Sequence, residues 1–132
     1  MAFNNRFEPG LGYVGAYQVS GHPHITGSTA LAATTEEKFV FPMVTKSLTI
    51  INNNGEDFYV HFVSGSSGNV VAGLHYIPLT TAGQTVTINA KCRELYCTAP
   101  AGGSARSLTI YAELTNILPD QMHPLTGSGH TD

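Results

Sequence analysis

From Lys38 onward, apolar residues recur at every second position and are interrupted at regular intervals by turn formers. That is the pattern of half-buried β-strands. Phe39, Phe41 and Met43 alternate with Val40 and Pro42, and the proline, having no N–H for a ladder, restricts this segment to an edge strand or a strand end. Leu48 and Ile50 alternate with Ser47 and Thr49, and Phe58, Val60 and Phe62 alternate with Tyr59 and His61. Residues 71–79 form an apolar run with Gly73 inside it, which suggests a bulge or close contact, and Pro78 near its end. Val86, Ile88 and Ala90 alternate with Thr85, Thr87 and Asn89. Leu95 and Cys97 continue on the opposite parity, so a bulge or turn must fall within residues 91–94. Leu108, Ile110, Ala112 and Leu114 close the series. The pattern predicts about seven short strands in an all-β, antiparallel β-sandwich of jelly-roll-like form.

The Asn-rich segment after Ile50 can be read more closely. A two-residue turn at Asn54-Gly55 would set Ile50 opposite Tyr59, matching an apolar position with a polar one. A three-residue loop, Asn53-Asn54-Gly55, pairs Ile50 with Phe58 and puts glycine at the position that needs a left-handed backbone. Hydrophobic matching favours the longer loop.

The ends of the chain lack this period. Residues 1–37 carry Gly10, Gly12, Gly15, Gly21 and Gly27 with Phe3, Phe7, Tyr13 and Tyr17 spaced among them. Within them only residues 13–20 read as a strand, and residues 28–37 as one helical turn at most, since Thr29, Thr34 and Thr35 weaken it. Residues 118–132, with Pro119, Pro124 and Gly127-Ser128-Gly129, are similar. The chain therefore divides into an extended N-terminal arm with a first edge strand (1–37), a sandwich body (38–117) and an extended tail (118–132). Segments of this composition need something to tie them down, and a neighbouring subunit is the expected anchor.

Composition changes the picture through charge. At 132 residues there is room for one domain. Only 6 Lys and Arg and 9 Asp and Glu are present, 11% of the chain against about 25% in an ordinary domain. Six scattered cations do not make the cluster that displaces counterions from nucleic acid, so no nucleic-acid partner is expected. Ser, Thr, Gly and Asn replace the charges, and they can be covered by a neighbour without the cost of burying an ion. Charge depletion is also the mark of interface cores. No run approaches the ~20 apolar residues of a membrane span, and residues 1–10 lack the pattern of a signal peptide. Cys92 and Cys97, about 16 Å apart on an extended segment at roughly 3.3 Å per residue, are expected as free thiols unless a tight turn brings them together.

Candidate chemistry is sparse. His22-Pro23-His24 pairs two imidazoles, but the next acid is Glu36, too far along for a cupin-type metal site, so a turn with two solvated or hydrogen-bonded rings is expected. His61 and His75 are read as polar residues within strands. No Gly-x-Ser-x-Gly elbow is present. Cys92 between Lys91 and Arg93 could have a lowered thiol pKa, although a structural cysteine at a bulge is the commoner meaning. Glu36-Glu37 and Glu56-Asp57 read as solvated loop charges. No catalytic residue, metal ligand or cofactor site emerges, and an enzyme is not expected.

Several segments taken together suggest a family. The run Ala16-Tyr17-Gln18-Val19-Ser20-Gly21-His22-Pro23-His24-Ile25-Thr26-Gly27 resembles small virion structural proteins of tailed phages, especially those infecting cyanobacteria. Phe41-Pro42-Met43-Val44-Thr45-Lys46-Ser47-Leu48-Thr49-Ile50, Gly73-Leu74-His75-Tyr76, Lys91-Cys92-Arg93-Glu94-Leu95-Tyr96, Tyr111-Ala112-Glu113-Leu114-Thr115-Asn116-Ile117 and Leu125-Thr126-Gly127-Ser128-Gly129 are similar too. None is a chemical signature; their order and number carry the resemblance. It implies a β-sandwich virion component, a capsid decoration (cement) protein assembled in the host cytoplasm. The expected partners are the major capsid protein and copies of itself. The expected anchors in arm and tail are Phe3, Phe7, Tyr13, Tyr17, His22, His24, His123 and Leu125. Two other readings stand beside it: a neck, tail or baseplate component, and a carbohydrate-binding module that uses Tyr59, Tyr76 or Tyr111 as stacking platforms.

Overall fold

The computed structural model describes residues 22–64 and 74–122. Eight strands follow in order: β1 (His22–Leu31), β2 (Glu36–Val40), β3 (Thr45–Asn52), β4 (Phe58–His61), β5 (Ile77–Leu79), β6 (Thr85–Ile88), β7 (Glu94–Thr98) and β8 (Arg106–Leu114). The first sheet has the order β1-β8-β3-β6 and the second β2-β7-β4-β5. Every pairing is antiparallel, and β1 meets β8, β2 meets β7, β3 meets β6 and β4 meets β5. The topology is thus one long hairpin, turned at the β4–β5 connection and rolled up so that alternate segments fall into opposite sheets. Such double-sheet wrapping is the jelly roll.

Period-two alternation places one face of each strand in the core. Leu48 and Ile50 of β3, Phe58 and Val60 of β4, Leu95 and Cys97 of β7, and Leu108, Ile110 and Ala112 of β8 are all buried between the sheets. The parity change between Ile88 and Leu95 is the crossing from the first sheet to the second. A smaller cluster of Val44, Ile117 and Met122 closes one end of the sandwich.

Several expectations are corrected. Residues 22–31 form a strand along β8, although their only apolar side chain before Ala30 is Ile25. Their inward positions, His24, Thr26 and Ser28, are polar, so the alternation is inverted relative to the core strands and the strand is held by its ladder. Residues 28–37 contain the end of β1, a turn with Thr34 at φ 62°, and the start of β2, with no helical turn. The Ile50–Phe58 hairpin does not exist, because β3 and β4 lie in different sheets. The loop between them still has Gly55 at φ +85°. What turns it is the buried Asn52: its Oδ1 accepts from the Asn54 and Gly55 N–H groups at 3.2 and 2.8 Å, and its Nδ2 donates to the Glu56 and Leu79 carbonyls at 3.0 and 3.1 Å. Of the apolar run at 71–79, only Ile77–Leu79 is strand among the described residues, and His75 lies outside any strand.

Candidate interaction surfaces

His22 and His24, two apart, stand on the same side of β1, each with a partner. His22 Nε2 lies 2.8 Å from Asn116 Oδ1, and the His24 ring meets Phe41 edge-on at 5.9 Å and 88°. They sit in a strand where a turn was expected, and among the described residues no three His, Cys, Asp or Glu converge as metal ligands. Phe3, Phe7, Tyr13, Tyr17, His123 and Leu125 lie outside the described residues.

The two thiols are interior groups. Thr45 Oγ1 donates to the Ala90 carbonyl at 2.8 Å and accepts from the Cys92 N–H at 3.1 Å, with Cys92 Sγ 3.2 Å away. Burial pushes the Cys92 thiol up to about 11, against any activating effect of Lys91 and Arg93, and raises Cys97 as well. Both cysteines are free. Neither has the lowered pKa of a nucleophile.

The outer face of the second sheet is aromatic. Tyr59 of β4 is flanked by Pro78 of β5 and Thr98 of β7, and its ring stacks on Tyr76 at 4.0 Å and 26°. In the next row His61 lies opposite Tyr96, which lies opposite Lys38. The His61 and Tyr96 rings are nearly parallel, 5.9 Å apart, and Lys38 Nζ sits 5.9 Å above the Tyr96 ring while pairing with Glu94 at 3.0 Å. His61 is 1% exposed although its strand position faces outward. A carbonyl only accepts, so Nδ1–H donates to Val63 O at 2.7 Å, leaving Nε2 to accept from the Thr98 hydroxyl at 2.6 Å. Desolvation lowers the His61 pKa. Beside this face Lys38, Val40, Arg93, Glu94, Pro119 and Asp120 line an open groove of about 360 Å³. Its two cations and two acids favour neither sign of ligand.

The outer face of the first sheet is different. Its aligned rows are Pro23, Glu113 and Ser47; Ile25, Tyr111, Thr49 and Thr87; and Gly27, Thr109, Ile51 and Thr85. Glu113 is the one formal charge in these rows, and Lys46 stands beside them at the β3 irregularity. Hydroxyls are tied across it, Thr49 to Thr87 at 3.3 Å and Asn53 Nδ2 to Thr109 Oγ1 at 2.9 Å. Ile25 is 70% exposed directly opposite Tyr111. Gly27 is required here, because a Cβ would collide with the Leu108 carbonyl of β8.

Of the three tyrosines proposed as platforms, Tyr59 and Tyr76 therefore come together, while Tyr111 is on the opposite sheet. Ile25 and Tyr96 escaped the sequence reading. Ile25 is the lone apolar residue of the polar stretch before Ala30, and Tyr96 has the solvent parity that ordinarily carries no message. Comparison with protein-family models, curated proteins and solved structures finds no match to this chain.

Proposed function

We propose that the chain is a virion structural subunit of a tailed phage, a capsid decoration protein that binds the head lattice and copies of itself through strand edges and a charge-poor sheet face. The observation that carries this reading is the outer face of the first sheet: three aligned rows with one formal charge and Ile25 standing 70% exposed. Such a face loses little on desolvation when a neighbour covers it. The rolled-hairpin fold is compatible, being used by capsid domains among others, although a fold alone does not assign a function. No catalytic step belongs to this reading. Sedimentation of phage particles with the added protein tests it. Binding should persist from about 0.1 M to about 1 M salt, because apolar and neutral contacts are not screened. Failure to co-sediment with heads at either salt overturns it.

A second reading rests on the other face. The Tyr59–Tyr76 stack beside Pro78 and Thr98 suits a pyranose ring, whose C–H face packs on an aromatic side chain while hydroxyls reach polar neighbours. In a glycan array, retention lost in Tyr76→Ala and kept in Ile25→Ser would favour it over head binding.

A further inference from the structure

Four strands end the two sheets, and three of them are blunted in the ways that sheet edges commonly are. β6 is 4 residues long, β5 has 3 residues with Pro78 in the middle, and β2 carries Glu36, Glu37 and Lys38 among its 5 residues. Short length, proline and charge all discourage a further strand from adding. β1 is the exception. It is 10 residues long and has no Asp, Glu, Lys or Arg, and among the described residues no strand lies along its outer edge. Its proline, Pro23, and its bulge, between Ser28 and Leu31, stand at its two ends.

The pairing that this edge invites can be put in register. β1 runs regularly along β8 from His22 to Ser28 before the bulge, seven residues centred on Ile25. An antiparallel partner must keep outward residues opposite outward ones, because a one-residue slip turns every side chain to the wrong face. A copy of the same seven residues satisfies both conditions when the two-fold axis passes through Ile25. Ile25 then meets Ile25 of the second copy, Pro23 lies over Gly27, which has no side chain, His24 faces Thr26, and His22 faces Ser28. No like charges oppose each other in this ladder, whereas two β2 edges would bring carboxylates and ammonium groups into theirs.

We infer that two copies of this chain pair β1 to β1, antiparallel about a two-fold axis at Ile25, joining two four-stranded sheets into one of eight strands. The interface combines main-chain hydrogen bonds along the ladder with burial of the two Ile25 side chains. What selects a second copy is the set of side chains this two-fold brings together: the two exposed Ile25 side chains cover each other, Pro23 has room over Gly27, and no charge meets its like. The inference specifies how copies meet in the assembly proposed above. It is read on the isolated protein, so its failure leaves the particle-binding experiment intact, and the reverse also holds.

The test is sedimentation equilibrium of the full chain at about 100 µM, where a dimer with a Kd of about 10 µM or below is mostly formed. A dimer is expected at about 0.15 M and about 1 M salt alike, since no ion pair holds the ladder. Ile25→Lys sets two ammonium groups directly opposite and should give a monomer with an unchanged circular-dichroism spectrum. Val40→Lys, the same change at another exposed apolar edge residue (65%), should remain dimeric. Opposed residues in a ladder have Cβ atoms about 4.5–5.5 Å apart, near disulfide reach. Ile25→Cys should therefore form a covalent dimer on mild oxidation and Val40→Cys should not. A monomeric or trimeric wild type, a dimer that survives Ile25→Lys, or an Ile25→Cys that stays uncrosslinked would overturn the inference.

Discussion

Arg106 is 1% exposed and donates through Nε to the main-chain carbonyl of Asp57 at 2.8 Å, while its Nη2 stands 3.4 Å from the Asp57 carboxylate. The same guanidinium reaches the carbonyls of Ser104 at 2.9 Å and Pro100 at 3.4 Å. One side chain thus ties the β3–β4 loop to the β7–β8 loop at one end of the sandwich. Arg106→Met keeps the volume and removes every donor. The Asp57 carboxylate, 43% exposed, can rehydrate, but the half-buried main-chain carbonyl of Asp57 loses its charge-assisted donor and the two loops lose their tie. A loss of about 3 kcal/mol is expected, read as a lower urea midpoint with an unchanged slope.

Two glycines separate two kinds of constraint. Gly55 has φ +85° and ordinary contact distances, so Gly55→Ala meets mainly the left-handed penalty of about 1 kcal/mol, and Gly55→Asn should recover part of it. Gly27 is limited by space, since a Cβ meets the Leu108 carbonyl and β1 must move away from β8. Gly27→Ala should cost about 1–3 kcal/mol, and asparagine there should be worse than alanine. Thermal melting of the four variants ranks them.

Acid acts through His61. Its folded pKa lies below the ordinary 6.5 because the ring is desolvated. The unfolded chain therefore takes up the proton first, so this residue's contribution is fully present above about pH 6.5 and falls as pH drops through that value toward the folded pKa. Protonated Nε2 also ceases to accept from Thr98. Urea unfolding between pH 7.5 and pH 5 should show a decline that is flatter in His61→Gln.

Thiol chemistry should be silent in the native protein. With Cys92 raised to about 11 and Cys97 raised further by burial, a disulfide reagent at about pH 8 should label neither until denaturant is added, when both react.

What the sequence revealed followed what alternation can encode. Leu48, Ile50, Leu108 and Ile110 advertise their strands because one face is apolar and the other is not. The same logic placed a bulge or turn within residues 91–94, where the parity breaks, and the structure shows that the chain crosses there from one sheet to the other. It could not find β1, whose inward residues are His24, Thr26 and Ser28, since a strand secured by its ladder leaves no hydrophobic period. It mispaired Ile50 with Phe58 because alternation says which face is buried and not which sheet holds it. Asn52, which sends the chain across, looked like one of three equivalent asparagines. The Tyr59–Tyr76 stack was nominated from residue type alone, and its partner row, His61 and Tyr96, was not.

Rolling one hairpin into two sheets also sets an order in time. The β4–β5 pair closes the shortest span of chain, and each pair outside it closes a longer one, ending with His22 against Leu114. Loop-closure entropy grows with the span, and topologies dominated by distant pairings fold in milliseconds to seconds. Inner pairs therefore have the entropic advantage, and β1 is expected to dock last. A chain in which β1 has yet to dock would present β8 as an unfilled edge of nine residues, and that interval would be the one most open to a neighbour's strand.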